Sequence, residues 1–310
     1  MEKTIDADAK RISWLGNLKG DLAKLEKHQF REANVVTGVY RPFCKHALYY
    51  NRDFNERVYQ LPRIFPKPEM ENLVIAVDSR GSTKEFSVMM TNSLPDYEVI
   101  SKGQSFPLYL YEKDEPAESQ SGEEKKLRQA DLMTKEPAGE LVCGYRRRSA
   151  ITDAILADFR AAYETSSDGR RRREEALTSS GKTSVSLLTS AATERKITKE
   201  DIFYYVYGVL HSPEYRTRFA SDLKKMLPRL PFTRETADFF AFSQAGRDLA
   251  QWHLNYETIE PWPVSEFASE LLSDPAKDFL VQKMTLGRKD KQEDKTTIHH
   301  NARIPLTGFP

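Results

Sequence analysis

The run SSGKTS at residues 179–184 holds Gly181-Lys182-Thr183, the residue types that close a phosphate-binding loop. A complete loop needs another glycine five residues earlier, so that successive backbone N–H groups can cradle a phosphate. Position 176 is alanine, and no apolar strand leads into the run, so the motif is incomplete. No G-x-G-x-x-G follows a strand-like stretch, and no H-E-x-x-H is present. The pair His299-His300 lies in a charged tail without further residues at metal-ligand spacing. Cys44 with His211 or His253 has the residue types of a nucleophile and its base. Histidines within helical patterns more often pack or cap. Carboxylates are plentiful, yet no pair sits in a short apolar setting that would split their pKa values. The residues offer no catalytic centre, no cofactor site and no metal site.

Basic residues interleaved with aromatic ones are the remaining chemical signal. YRPFCKHALYYNRDFNERVYQLPRIFP, residues 40–66, carries Arg41, Lys45, Arg52, Arg57 and Arg63 among its rings. Further clusters are Arg146-Arg147-Arg148, Arg170 to Arg173 and Lys224-Lys225. Such side chains contact phosphates, which fixes register and gives salt-dependent affinity. The same residues also fit a packed scaffold whose rings are core and whose arginines pair with carboxylates. Both readings stay open on these residues alone.

The whole-chain balance excludes some classes. The 310 residues carry 47 Lys+Arg against 46 Asp+Glu, so any nucleic-acid contact must come from local clustering. No run approaches the ~18 apolar residues of a spanning helix, and MEKTIDADAKR is too polar for a signal peptide. Two cysteines, Cys44 and Cys143, make neither a disulfide framework nor a four-ligand zinc site. A reducing, cytoplasmic setting without membrane contact is the expectation.

These residues need elements to hold them. Residues 73–77 (LVIAV), 86–94 (FSVMMTNSL) and 106–111 (FPLYLY) are short apolar or alternating runs separated by turn formers, which predicts strands. ITDAILADFRAAY places Ile151, Ile155, Phe159 and Ala162 at helical spacing. ITKEDIFYYVYGVLHS opens on Thr198 with Asp201 three residues on, a capping-box arrangement, and Ile202, Val206, Val209 and Leu210 recur along one face. SPEYRTRFASDLKKML restarts with Ser212 as N-cap and Pro213 in the first turn, with Phe219, Leu223 and Met226 as its apolar stripe. A third helix is expected from about 234 to 256, burying Phe239, Phe242, Leu249 and Trp252. The fold class is therefore α+β, a β-rich N-terminal half followed by a helical C-terminal half, with two flexible polar insertions.

Four blocks carry a family resemblance: YRPFCKHALYYNRDFNERVYQLPRIFP, FPLYLYE, ITKEDIFYYVYGVLHSPEYRTRFASDLKKMLPRLPF and AFSQAGRDLAQWHLNYE. In order and spacing, from about residue 12 to the end, they resemble the C-terminal region of the type ISP restriction–modification enzymes. TTIHHNARIPLTGFP resembles the start of that family's closing segment, so the chain is expected to be truncated relative to the family. In the family one polypeptide carries a nuclease, an ATP-driven translocase, an adenine N6-methyltransferase and a target recognition domain. This sequence has no Asn-Pro-Pro-Tyr/Phe methylation motif, and it resembles the target recognition part.

The resemblance implies sequence-specific double-stranded DNA binding that positions a target adenine for methylation and licenses translocation and cleavage by other domains. It implies no catalysis and no cofactor for this piece, while the parent would use S-adenosylmethionine, ATP and Mg. Its partners would be double-stranded DNA and the methyltransferase and translocase domains of the same chain. An alternative is a scaffold module coupling those domains without reading DNA. The expected organisation is a helical or linker piece at 1–34 packing on the methyltransferase and a β-rich half at 35–112. A flexible insertion at 113–145, a helix at 146–164 and a flexible polar segment at 165–196 come next. A helical half at 197–275 and a closing segment at 276–310 complete it.

Shared blocks build scaffold, so Tyr40, Pro42 and Phe43 are expected to hold the entry to the β-rich half. Specificity is expected in family-atypical stretches: Ser79 to Lys84, the 101–105 turn and an Arg146 to Arg148 loop. The DNA-contacting set implied is Lys45, Arg52, Arg57, Ser79, Arg80, Lys84, Lys102, Arg146, Arg147 and Arg148.

Overall fold

The computed structural model describes residues 17–55, 58–78, 82, 84–114, 139–163, 195–263, 274–278, 280–281, 283–290, 292–301 and 304–309. The chain divides into two units, Met1–Tyr256 and Glu257–Pro310. Both strands and helices are present, strands first and helices later, as the α+β reading requires. Among the described residues no helix is long and apolar enough to cross a membrane.

Three small sheets build the strand-rich part of the first unit. Val35–Arg41 (β1) and Cys44–Tyr49 (β2) form an antiparallel hairpin, and Leu94–Pro95 (β5) runs parallel to β1. Val74–Val77 (β3) lies between Val88–Thr91 (β4) and Gln104–Pro107 (β6), antiparallel to both. Tyr109–Lys113 (β7), Glu140–Val142 (β8) and Tyr145–Ser149 (β9) form the third, with β9 in the middle. Short helices Asn17–Ala23 (α1) and Leu61–Ile64 (α2) flank the first hairpin in sequence. Residues 139–145, assigned by composition to the polar insertion, thus supply a strand and a turn; 115–138 and 164–194 lie outside the described residues.

Strand β3 is apolar throughout because both of its faces are covered. Strand side chains alternate between faces, and here Ile75 and Val77 join the helical core while Val74 and Ala76 join clusters on the other side. Val74 meets Ile64, Phe65 and Leu94; Ala76 meets Val39, Val99 and Ile100. The helical layer begins with residues 153–163 (α3) and continues as Lys199–His211 (α4), Pro213–Arg218 (α5), Ala220–Leu223 (α6) and Thr236–Leu254 (α7). α4 is set by the expected capping box: Thr198 Oγ1 accepts from Asp201 N–H at 3.1 Å, and Asp201 accepts from Thr198 N–H at 3.0 Å. Ser212 caps α5 as expected, accepting from Tyr215 N–H at 3.3 Å.

Expectations for three helices need correction, and the helix expected over 146–164 spans 153–163 because 145–149 form β9. The run after Ser212 is two short helices, because at Phe219 the backbone leaves the helical region (φ −106°, ψ 17°) while its ring packs 5.0 Å from Tyr215. Met226, assigned to the stripe of that run, is exposed. On α7 the buried positions are Phe239, Ser243, Gly246 and Ala250, a stripe that excludes Trp252, which is 63% exposed. On α3 the burial falls on Phe159 and Tyr163, whereas Ile155 faces solvent.

α4 and α7 pack backbone against backbone. A Cβ on Gly208 would stand 2.3 Å from the Phe242 carbonyl oxygen, and one on Gly246 would stand 2.0 Å from that of Tyr204. This approach lets Tyr205 and Phe239 bury completely with ring centroids 4.9 Å apart, beside Phe159 and Tyr163. Such ring pairs add about 0.5–1.5 kcal/mol each beyond their area.

In the second unit Thr285–Lys289 (β10), Gln292–His299 (β11) and Pro305–Thr307 (β12) form an antiparallel sheet, preceded by the short helix Pro275–Asp278 (α8). The buried Asp278 accepts from Asp274 N–H at 2.9 Å. His299 closes β11 opposite Pro305, so it belongs to a strand rather than to a tail.

Gly208→Ala is expected to lower stability by about 1–3 kcal/mol, since backbone rather than a movable side chain meets the added carbon. The same exchange in an exposed helix interior gains about 1 kcal/mol, so thermal melts of G208A and G246A check the contact by sign alone.

Candidate nucleic-acid interface

The arginine triplet lies in β9, not in a loop, and each guanidinium meets a carboxylate delivered by a neighbouring strand or its end. Arg146 reaches Asp114 at 3.0 Å. Arg147 pairs with Glu140 of β8 and lies 4.6 Å over the Tyr109 ring. Burial works against the Arg147 charge, but hydrogen bonds to Glu140 and Tyr111 outweigh it and raise its pKa above the ordinary value. Arg148 and Arg63 both donate to Glu112 Oε1 at 2.6 Å. The triplet pattern is local, whereas its acidic partners stand up to 36 residues away.

The described flanks of two family-atypical stretches lie at one sheet end, while the third is β9 of another sheet. Register pairs Val77 with both Val88 and Gln104, so the link from Asp78 to Ser87 and the turn before Gln104 leave the same end of the β4-β3-β6 sheet. Lys84 and Lys102 are exposed there; Lys102 has φ 50° and donates its N–H to Glu98 Oε2 at 3.4 Å. Ser82 Oγ accepts from Lys84 N–H at 3.1 Å. Ser79, Arg80 and Arg57 lie outside the described residues. Asp78 is buried at the end of β3, and burial raises its pKa despite Ser82 and Ser87 nearby.

The aromatic and basic stretch from Tyr40 forms the end of β1, all of β2 and the turn beyond it. Phe43 sits in the hairpin turn with φ 57°, and its ring packs 5.4 Å from His253 and 5.2 Å from Tyr256, beyond the α7 end. Lys45 Nζ lies 5.1 Å over the Tyr256 ring. Tyr40 carries the Arg41 guanidinium 3.9 Å over its ring. Arg52 is exposed in the turn after β2. Lys45 and Arg52 therefore stand on the hairpin, and Lys84 and Lys102 on the sheet end.

Between these positions runs a groove of about 880 Å³ that the sequence did not signal. Val39, Val58, Leu61, Ile64 and Leu94 line its depth. Tyr40, Tyr59, Tyr97, Gln60, His46 and Lys102 line it nearer solvent. Tyr59, like Lys102, holds a positive φ, here 46°. Tyr50 also lines the groove; its hydroxyl is enclosed without a hydrogen-bond partner, and burial pushes its pKa up to about 12 against the opposing Arg52 charge.

Asp201, His211 and His253 are tied into the packing of the helical layer. Asp201 is buried between Arg195 (2.7 Å) and Arg247 (2.9 Å). Burial opposes its charge, yet the Thr198 and Arg247 hydrogen bonds hold its pKa below the usual carboxylate range. His211 and His253 rings stand 5.5 Å apart. The fully buried Tyr207 hydroxyl accepts from Met90 N–H at 2.9 Å and meets His253 Nδ1. Among the described residues, Asp21, Glu26 and His28 bring ligand-type atoms within 4.8 Å of one another, with His28 already 3.2 Å from Asp21 and 3.4 Å from Asp53.

A family model, the Type ISP C-terminal specificity domain, matches residues 1–310. The chain belongs to that family. The domain family is part of the Type ISP restriction–modification enzymes, as the resemblance implied. No curated protein matches the chain. Its fold is similar to that in the DrdV–DNA complex (24% identity, TM-score 0.67), covering 100% of this chain and 24% of that one. It is also similar to a nuclease-deletion mutant of the Type ISP restriction–modification enzyme LlaGI in complex with a DNA substrate mimic. There identity is 27% and the TM-score 0.59, covering 99% of this chain and 21% of that one. The ATP-dependent Type ISP restriction–modification enzyme LlaBIII bound to DNA gives 24% and 0.62, covering 96% and 16%. The specificity domain thus spans a quarter or less of each solved relative.

Two measurements check the site. Glu112→Ala strips the carboxylate shared by Arg63 and Arg148 and is expected to cost about 1–3 kcal/mol in denaturant unfolding. Glu140→Ala, whose side chain is 65% exposed, should cost about 0–1 kcal/mol. Burial, helped by the Arg216 charge and opposed by the Tyr207 carbonyl, lowers the His211 pKa to about 4 from 6.5. The unfolded state then binds more protons between those values, so stability is full above pH 6.5 and is lost as pH falls towards 4. His211→Phe should make that slope shallower.

Proposed function

We propose that the chain recognises a specific double-stranded DNA site within a restriction–modification enzyme. It positions a target adenine for N6 methylation and licenses ATP-dependent translocation and cleavage by neighbouring domains. The observation that carries this reading is the specificity-domain match over all 310 residues. The likeness to enzymes solved with DNA supports it. The chain contributes binding and no chemical step, and it needs no cofactor of its own. S-adenosylmethionine, ATP and Mg serve the methyltransferase and translocase domains that are its partners, in the cytoplasm.

The basic residues divide by where they stand. Lys45, Arg52, Lys84 and Lys102 stand on the hairpin and on the sheet end, where they suit phosphate positioning. Arg57, Ser79 and Arg80 belong to the same two stretches of sequence. Arg146, Arg147 and Arg148 are neutralised within their own sheet, so they contribute less to DNA than to folding.

Anisotropy titration of labelled duplexes over a range of salt tests this. Affinity should fall with a log–log slope of about −0.9 per neutralised phosphate. Lys45→Ala and Arg52→Ala should each reduce the slope by roughly one. A slope near zero, or no binding at low salt, sinks the reading.

A further inference from the structure

The groove beside β1 is the wrong shape for reading an intact duplex. Base edges lie at the bottom of the DNA grooves, so the protein parts that read them must protrude. This surface is concave, and its volume of about 880 Å³ falls among small-ligand sites. Its depth is apolar: Val39, Val58, Ile64 and Leu94 are each at most 7% exposed. Tyr59 and Tyr97 line it with rings that are 74% and 58% exposed, an unusual state for large aromatic side chains. Tyr59 and Lys102 are both held at positive φ, a strained conformation that clusters at ligand clamps. The groove's lining also includes Tyr50. Its one carboxylate, Asp96, lies 3.8 Å from Arg41, which offsets its charge.

We propose that this groove binds an unpaired nucleobase of single-stranded or locally opened DNA. An apolar floor and free aromatic faces accept a base once it has left the stack, and cation-plus-ring surfaces of this kind hold single strands. Tyr59 and Tyr97 stack on the base, and Lys102 meets the adjoining phosphate. The site goes beyond duplex recognition, because its ligand exists only where pairing is broken.

The test uses the whole chain and oligonucleotides carrying the fluorescent base 2-aminopurine. The base is presented in a single strand, as a one-base bulge in a duplex, and in a fully paired duplex of the same sequence. The single strand and the bulge should bind about tenfold tighter than the paired duplex, with quenched fluorescence. The double variant Tyr59→Ala, Tyr97→Ala should remove that advantage and leave paired-duplex affinity unchanged. Equal binding of bulged and paired duplexes, or an advantage that survives the double variant, overturns the proposal. Binding of free 2-aminopurine deoxynucleotide as tightly as the oligonucleotide overturns the assignment to DNA. If the wild type binds no paired duplex but still prefers the single strand, the groove stands and the duplex reading fails.

Discussion

The close approach of α4 and α7 at Gly208 and Gly246 sets the depth of the helical layer, and the strands are arranged against that depth. With the two backbones touching, there is room for a continuous set of buried rings from Phe159 and Tyr163 to Tyr205 and Phe239. Two of the ring hydroxyls are spent on the chain itself, Tyr205 on the Pro231 carbonyl and Tyr215 on that of Arg229. The layer therefore buries polar aromatic residues without leaving those hydroxyls unsatisfied. Its inner surface carries Ile75 and Val77 of β3, and the opposite face of the same strand carries the first hairpin.

That arrangement separates the scaffold from the surface that can vary. The core side of β3 is fixed by packing on both faces, whereas Lys84, Glu85 and Lys102 near its end and the rim beyond β1 meet solvent. A recognition module benefits from such a division, because loop changes alter contacts without disturbing a core. The arginines of β9 fall on the scaffold side. They hold three strands whose surroundings supply Glu112, Asp114 and Glu140 in return.

The fold is legible in the sequence where the physics is local. Thr198 with Asp201, and Ser212 with Pro213, announce helix starts within a few residues, and both starts are where expected. The apolar run of β3 likewise reads as a strand. Trp252 misleads because an aromatic near the end of a helix looks like core until the stripe is fixed by its partner helix. Arg146 to Arg148 look available because their carboxylates are distant in sequence. The groove is invisible for the same reason: its lining is gathered from Gly38 to Ser105 across several elements. The family blocks identify the module, and the positions that touch DNA require the fold to be laid out first.

Tyr207 joins strand to helix inside the core. Its oxygen accepts the Met90 N–H and also meets Nδ1 of His253. Burial lowers the pKa of that imidazole. Strand, tyrosine and histidine are therefore tied in one line of contacts across the core, which ends at the residue against which the Phe43 ring of the hairpin turn rests.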